Sequence, residues 1–183
     1  TVTGMTDTLD SRTAEERFRA VFSHLGAVAA YARRRGNRDA DAVAAEVMTI
    51  AWRRLADVPL DDPRPWLYAT ARNLVLADAR RSSFVTTTET GEPVGATQAP
   101  EVLELDPALG VALRSLSRLD REALLLVAWE DLTPTQAARS LGINPTAFRV
   151  RLLRARRRLR AKLAGAANDD RFDPNAHFEM EAS

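Results

Sequence analysis

A chain of 183 residues holds one medium domain or two small ones. Apolar residues make up 45% and charged residues 28%, enough for a core and a well-solvated surface, and the net charge is only +1. The absence of cysteine excludes disulfides, thiol redox sensing and cysteine-ligated zinc. No apolar run reaches the roughly 18 residues of a membrane span and no signal-peptide pattern is seen, so a soluble, cytoplasmic protein is expected, with no membrane insertion.

Thr1 to Gly4 precede Met5 and are given no structural weight. The first periodic stretch starts near Thr13. Phe18, Val21, Phe22, Leu25, Val28, Ala29 and Ala32 recur at helical spacing and predict one helix, closed by Gly36-Asn37. Asp39 or Asp41 is placed to cap a second helix, whose Val43, Val47, Ile50, Ala51 and Leu55 form one apolar stripe. Residues 57–63 hold two prolines and three acids and read as a loop. Within it Asp61-Asp62 is better explained by solvation than as an acid/base or metal pair. A third helix is predicted from Arg64 to Arg81, with Pro65 in its first turn, where a missing N–H costs little. From Ser82 to Pro107 there are five acids (Glu89, Glu92, Glu101, Glu104, Asp106), no base and few large apolar residues. Such a segment cannot offset its ordering entropy and is expected to be a flexible linker.

A second helical unit follows. Leu109, Ala112, Leu113 and Leu116 make one amphipathic helix. Asp120 is the expected cap of the next, "REALLLVAWEDL", which is apolar on most sides and therefore buried. Thr133 and Gln136 form a capping-box pair, and Pro134 suits the first helical position. Gly142 supplies a turn after Leu141, and Asn144-Pro145 opens another helix. Short helix, glycine turn, longer helix is the helix-turn-helix outline. Phe148, Leu152, Ala155 and Leu159 share one face of the longer helix and are expected to pack on Ala138 and Leu141. Thr146, Arg149, Val150, Arg151 and Arg154 then point outward or to the flanks.

From Arg149 to Lys162 there are eight bases and no acid. Arginine near the N-terminus of an exposed helix suits the major groove, where it reads guanine bidentately while more distal arginines hold phosphates. The rival is a helical hairpin with a solvated basic face; eight bases directly after a doubly capped turn favour DNA binding. The tail from Gly165 carries five acids against one arginine and is expected to fray, with Phe172 and Phe178 as its anchors. With no strand-like alternation, the fold expected is all-α: two small helical domains, 13–81 and 108–164, joined by the flexible acidic linker 82–107 and followed by the acidic tail 165–183. His24 and His177 read as ordinary surface or boundary residues. No nucleophile–base set stands out, so no catalytic residue, metal ligand, cofactor or enzyme activity is expected.

The third helix carries a quieter signal. Trp66, Thr70, Asn73, Ala77, Arg80 and Arg81 fall within one face. Aromatic, amide and paired arginines on one surface can stack on an unpaired base, bond its edge and hold its backbone. Taken alone, Trp66 is more simply a core anchor.

The stretches "DADAVAAEVMTIAWRRL", "PWLYATARNLVLADARR" and "LDREALLLVAWEDLTPTQAARSLGINPTAFRVRLLRARRRL", in that order, resemble an extracytoplasmic-function (group 4) sigma factor of bacterial RNA polymerase. The resemblance covers about Ala14 to Ala164. It implies that the first domain is region 2, whose second helix, with Asp41, Glu46 and Arg53, docks on the β′ clamp helices of core RNA polymerase. It implies that Asp61, Arg64, Trp66, Asn73, Arg80 and Arg81 take the melted −10 element with a flipped base, Asn73 matching the family's "ARN" pattern. It implies that the second domain is region 4, docking on the β flap and reading the −35 element through Thr146, Arg149, Arg151 and Arg154. The linker would thread the polymerase, where an acidic segment suits a path built for nucleic acid. An anti-sigma factor is a further partner the family allows.

This chain departs from the pattern in places. "AVAAE" stands where many relatives have "DLVQE", so Ala42 and Ala45 remove polar groups from the docking helix. The loop before Trp66 is about one residue shorter than in some relatives, and Asp78 stands where relatives with "VLAN" carry Asn. "LVAWE" and the use of 25 Arg to one Lys resemble actinobacterial members. The reading that follows is a transcription initiation factor. The alternative is a helix-turn-helix regulator that binds DNA without core polymerase, and this would need a dimer face and a sensing domain. A helical interaction module or anti-sigma-like partner that touches no nucleic acid is a third reading, and loss of DNA binding on changing Arg149 and Arg151 to Glu would count against it.

Overall fold

The computed structural model describes residues 3–86 and 106–169. Residues 87–105 of the expected linker and the tail from residue 170 on lie outside the described residues, while Asp106 and Pro107, also assigned to the linker, open a helix. Eight α-helices are described: α1 (Thr3–Phe22), α2 (Leu25–Arg34), α3 (Ala40–Arg53), α4 (Arg64–Thr86), α5 (Pro107–Arg114), α6 (Arg118–Ala128), α7 (Pro134–Leu141) and α8 (Pro145–Asp169). A 3-10 turn (Leu55–Asp57) follows α3, and no strand occurs among the described residues. The all-α expectation is met.

The first half is built from α1 to α4. Asp39 caps α3, its carboxylate accepting the Ala42 N–H at 3.0 Å. Val47 and Ala51 of the predicted stripe are fully buried, joined by Ala44 and Met48. The stretch read as one helix from Thr13 to Ala32 is two. The chain breaks at Ser23-His24, where the Ser23 hydroxyl donates to the Ala20 carbonyl at 2.7 Å and the His24 N–H turns back to Val21. The break lets α2 leave α1 and pack against both α3 and α4. Gly36 closes α2 with φ +74°, as its position predicts. Helix α4 continues to Thr86, past the predicted end at Arg81 and into the first residues assigned to the linker.

In the second half α5, α6 and α7 all pack on α8. Asp106 caps α5, accepting N–H groups of Ala108 and Leu109. The cap of α6 is Ser117, not Asp120: the Ser117 hydroxyl accepts the Asp120 N–H at 3.2 Å. Helix α6 is buried along Ala123–Leu126, as its apolar girth predicts. Asp131 turns the chain into α7 at φ +51°, a conformation aspartate tolerates, and Leu132 beside it is buried.

The two halves touch. Helix α7 packs against α4, and one connected cluster of buried apolar residues includes Tyr31, Leu67 and Tyr68 from the first half and Leu126, Ala138 and Phe148 from the second. This association was not foreseen from the sequence.

Candidate nucleic-acid interface

The basic helix is set in place by three local devices. The Thr133 hydroxyl accepts the Gln136 N–H at 3.3 Å, while Gln136 Oε1 accepts the Thr133 N–H at 2.8 Å and the hydroxyl at 2.7 Å. The capping box is formed as predicted. Gly142 then reverses the chain at φ +64° and ψ +32°, its N–H and that of Ile143 satisfying the Arg139 and Ala138 carbonyls. Asn144 Oδ1 accepts the Thr146 N–H at 2.8 Å and opens α8. Phe148, Leu152 and Ala155 are buried against the rest of the half, the fully buried phenylalanine contributing about 1.5–3 kcal/mol by leaving water.

That anchoring leaves Thr146, Arg149 and Arg154 exposed. Arg157 and Arg160 are exposed too and follow on the same helix face, with Val150 and Leu153 between them, 43% and 53% exposed. Guanidinium groups interleaved with short apolar side chains match a major groove, where arginine reads guanine and an apolar group meets the thymine methyl. Arg151 differs. It lies on the flank, and its Nη1 donates to Asp120 Oδ1 at 3.0 Å. Arg158 meets the other oxygen of the same carboxylate. Asp120 is 2% exposed, so the residue read as a cap is a buried acid that ties α8 to α6.

The predicted −10 residues are spread over α4 and the loop before it. Asn73 and Arg80 are exposed. Arg81 is exposed and pairs with Asp78 at 3.3 Å, and Asp78 also accepts the Asn37 amide at 3.0 Å. Trp66 is half-buried against the core, with the Arg54 guanidinium 6.0 Å from its ring centre. The simpler reading of Trp66 as a core anchor therefore holds in part. The Thr70 hydroxyl donates to the Trp66 carbonyl at 2.9 Å and so faces its own helix. Asp61 is exposed and Arg64 half-buried, beside a cavity of about 260 Å³ also lined by Ala20, Val21, His24 and Leu60. Burial lowers the His24 pKa below its usual value and Arg64 lowers it further, with Asp62 opposing.

Asp41, Glu46 and Arg53 are all exposed along α3, with Asp41 3.7 Å from Arg33. Beside them lies an aromatic cluster that the stripe analysis missed. Phe18 meets Trp52 edge-on at 5.0 Å and Phe22 at 5.8 Å, and Phe22 and Trp52 are about half exposed. The signal available was Trp52, a large apolar residue outside the predicted stripe of α3. Among the described residues no group of three or more acidic or histidine side chains is placed to hold a metal, and no helix is long and apolar enough to cross a membrane.

Residues 107–159 match the family model described as "Sigma-70, region 4". Over a larger span the chain is similar to CnrH, solved in complex with the cytosolic domain of CnrY: 27% identity, TM-score 0.60, covering 83% of this chain and 95% of that one. It shares its fold with the sigma factor RpoE of Bartonella quintana, solved in complex with the anti-sigma factor NepR, at 20% identity and TM-score 0.58, covering 76% of this chain and 91% of that one. No curated protein matches the sequence. The region 4 match and the likeness to CnrH across both halves support an extracytoplasmic-function sigma factor.

Proposed function

We propose that this chain binds core RNA polymerase, carries it to promoters and promotes their melting. The observation that carries the reading is the helix-turn-helix: a capping box, a left-handed glycine and an asparagine cap present an exposed Thr146–Arg149–Arg154 face on a helix with no acid between Arg149 and Lys162. In this reading Thr146, Arg149 and Arg154 contact the −35 element, and Arg151 braces the helix that bears them. Asp61, Arg64, Trp66, Asn73, Arg80 and Arg81 take the −10 element, and Asp41, Glu46 and Arg53 meet the polymerase clamp on the outer face of α3. Both similar structures are complexes with a second protein, which makes an anti-sigma factor a further proposed partner. The cytoplasm is the compartment this role implies, and the arginine usage fits an actinobacterial source.

Two weak sites held together on one polymerase give specificity that neither supplies alone. The test is co-purification with core RNA polymerase followed by run-off transcription on a promoter pool. Core binding with selective initiation is expected, and Asn73→Ala should lower open-complex formation more than core binding. Tight binding of a palindromic site by the chain alone, without core binding, would instead make it an ordinary helix-turn-helix regulator.

A further inference from the structure

Elsewhere on the molecule clustered arginines meet acids. Arg34 and Arg35 pair with Glu130 and Glu122, and Arg151 and Arg158 share Asp120. The outer face of α8 is different. Arg149, Arg154, Arg157 and Arg160 are exposed, and among the described residues none of them meets an acid. The same face carries exposed apolar side chains, Val150 at 43% and Leu153 at 53%. A surface that is both cationic and apolar suits an occupant that is both anionic and apolar.

The residues that follow this helix have that composition. Asp169, Asp170, Asp173, Glu179 and Glu181 stand against Arg171 alone, with Phe172, Phe178 and Met180 set among them. The helix itself does not explain the first acids, because its dipole disfavours negative charge at the C-terminal end. Reach allows the contact. Leu153 lies about 24 Å back along the helix from Asp169, and Phe178 can travel about 30 Å from Asp169 in extended chain. Asp173-Pro174-Asn175, a turn-forming sequence, lies between the two phenylalanines. Tethering does the rest: a segment this close to its target acts at a millimolar effective concentration, so a weak contact is populated.

We infer that residues 170–183 fold back along the outer face of α8, their acids on Arg149, Arg154, Arg157 and Arg160 and Phe178 against Val150 and Leu153. There they compete with DNA. Non-specific DNA offers this face phosphates, for which carboxylates substitute; a cognate site adds bidentate base contacts that the tail lacks. The tail therefore discards non-specific DNA more than it discards a promoter. This consequence rests on the proposed −35 role of α8; the contact itself does not.

The chain contains no cysteine, so one introduced thiol carries a spin label cleanly. With Ala182→Cys labelled in the full chain at low salt, NMR should show Val150 and Leu153 amides broadened at least as strongly as that of Ala164. Phe172→Ser/Phe178→Ser, which keeps every charge, should remove the broadening at Val150 and Leu153. Broadening that simply fades from Ala164 towards Val150 in the parent would overturn the contact. The consequence is read by fluorescence anisotropy with a mixed-sequence DNA duplex. The double serine variant should bind about threefold tighter than the parent, as for a contact of about 0.5 mM set against an effective concentration of about 1 mM. The ratio should fall towards one as salt screens both partners. Equal affinities at low salt would overturn the competition, and general charge repulsion cannot imitate the expected gain, because the variant's net charge equals the parent's. Failure of the parent to bind core polymerase would count against the proposed function, while the label would still decide where the tail lies.

Discussion

Asp120 offers a test of how α8 is held. Its carboxylate is 2% exposed and is met by Arg151 and Arg158, whose side chains are 36% and 59% exposed. Replacing it with Asn keeps the shape and removes the charge. Two charge-assisted hydrogen bonds at a buried acceptor would each be worth about 1.5–3 kcal/mol if their donors were trapped. They are not trapped: both guanidiniums can turn to solvent, which reduces the loss. The neutral amide also escapes the cost of burying a charge. A net destabilisation of about 2 kcal/mol is expected for Asp120→Asn, a fall in Tm of about 4–8 °C for a chain of this size. Thermal unfolding followed by circular dichroism measures it. Asp120→Asn, Arg158→Ala and the double variant form a cycle with an expected coupling of at least about 0.5 kcal/mol, as for residues sharing one network. An unchanged Tm for Asp120→Asn, or additivity in the cycle, would show that the acid does not hold the helix. Arg151 would then return to the list of free DNA readers.

Gly142→Ala should lower stability by about 1 kcal/mol, because an added Cβ meets no neighbour within 4 Å and the cost is purely that of φ +64°. Gly142→Asn should lower it less, and a denaturant midpoint equal to the parent's in the alanine variant would refute the strained turn. His24 should titrate below its usual 6.5 when followed by NMR, because burial and Arg64 disfavour its cation. The unfolded chain then takes the proton first, so the His24 contribution is complete above pH 6.5 and declines as pH falls through the folded value. His24→Gln should flatten that decline, and a His24 titration midpoint above 6.5 would contradict the assignment.

Local chemistry was legible in the sequence and long-range pairing was not. Thr133-Pro-Thr-Gln136, Gly142 and Asn144 each announce a backbone device that the next few residues complete, and all three form as expected. The Val47–Ala51 stripe is legible for the same reason: helical spacing alone decides which side is apolar. The break at Ser23-His24 is hidden because the apolar spacing runs through it unbroken, and it is packing of α2 on α3 and α4 that bends the chain there. Phe22, which the spacing assigns to the core, is left 46% exposed. Asp120 was misread because aspartate is a good cap; Ser117, three residues earlier, was the better-placed hydroxyl. Arg34, Arg35, Glu122 and Glu130 read as solvated charges in any short window, since their partners lie 87 to 96 residues away.

Arg35, at the end of α2, ties the two halves together: it reaches Glu122 of α6 at 2.9 Å and Glu130 at 2.8 Å, and the Tyr31 hydroxyl donates to Glu122 at 2.8 Å. Burial alone would lower its pKa, but Tyr31, Glu122 and Glu130 together raise it above the usual arginine value, so it stays charged. Tyr31 is pushed the other way from ionisation. Burial and Glu122 raise its pKa well above the usual value, against the opposing pull of Arg35, and so it remains a donor to the carboxylate. Neither group changes charge near neutral pH, so neither loses its part in this contact by titration there. The seam is not ionic alone: α7 packs on α4, and Tyr31, Leu67 and Tyr68 share one buried apolar cluster with Leu126, Ala138 and Phe148, so parting the halves would also expose apolar surface at a cost of about 25 cal/mol per Å².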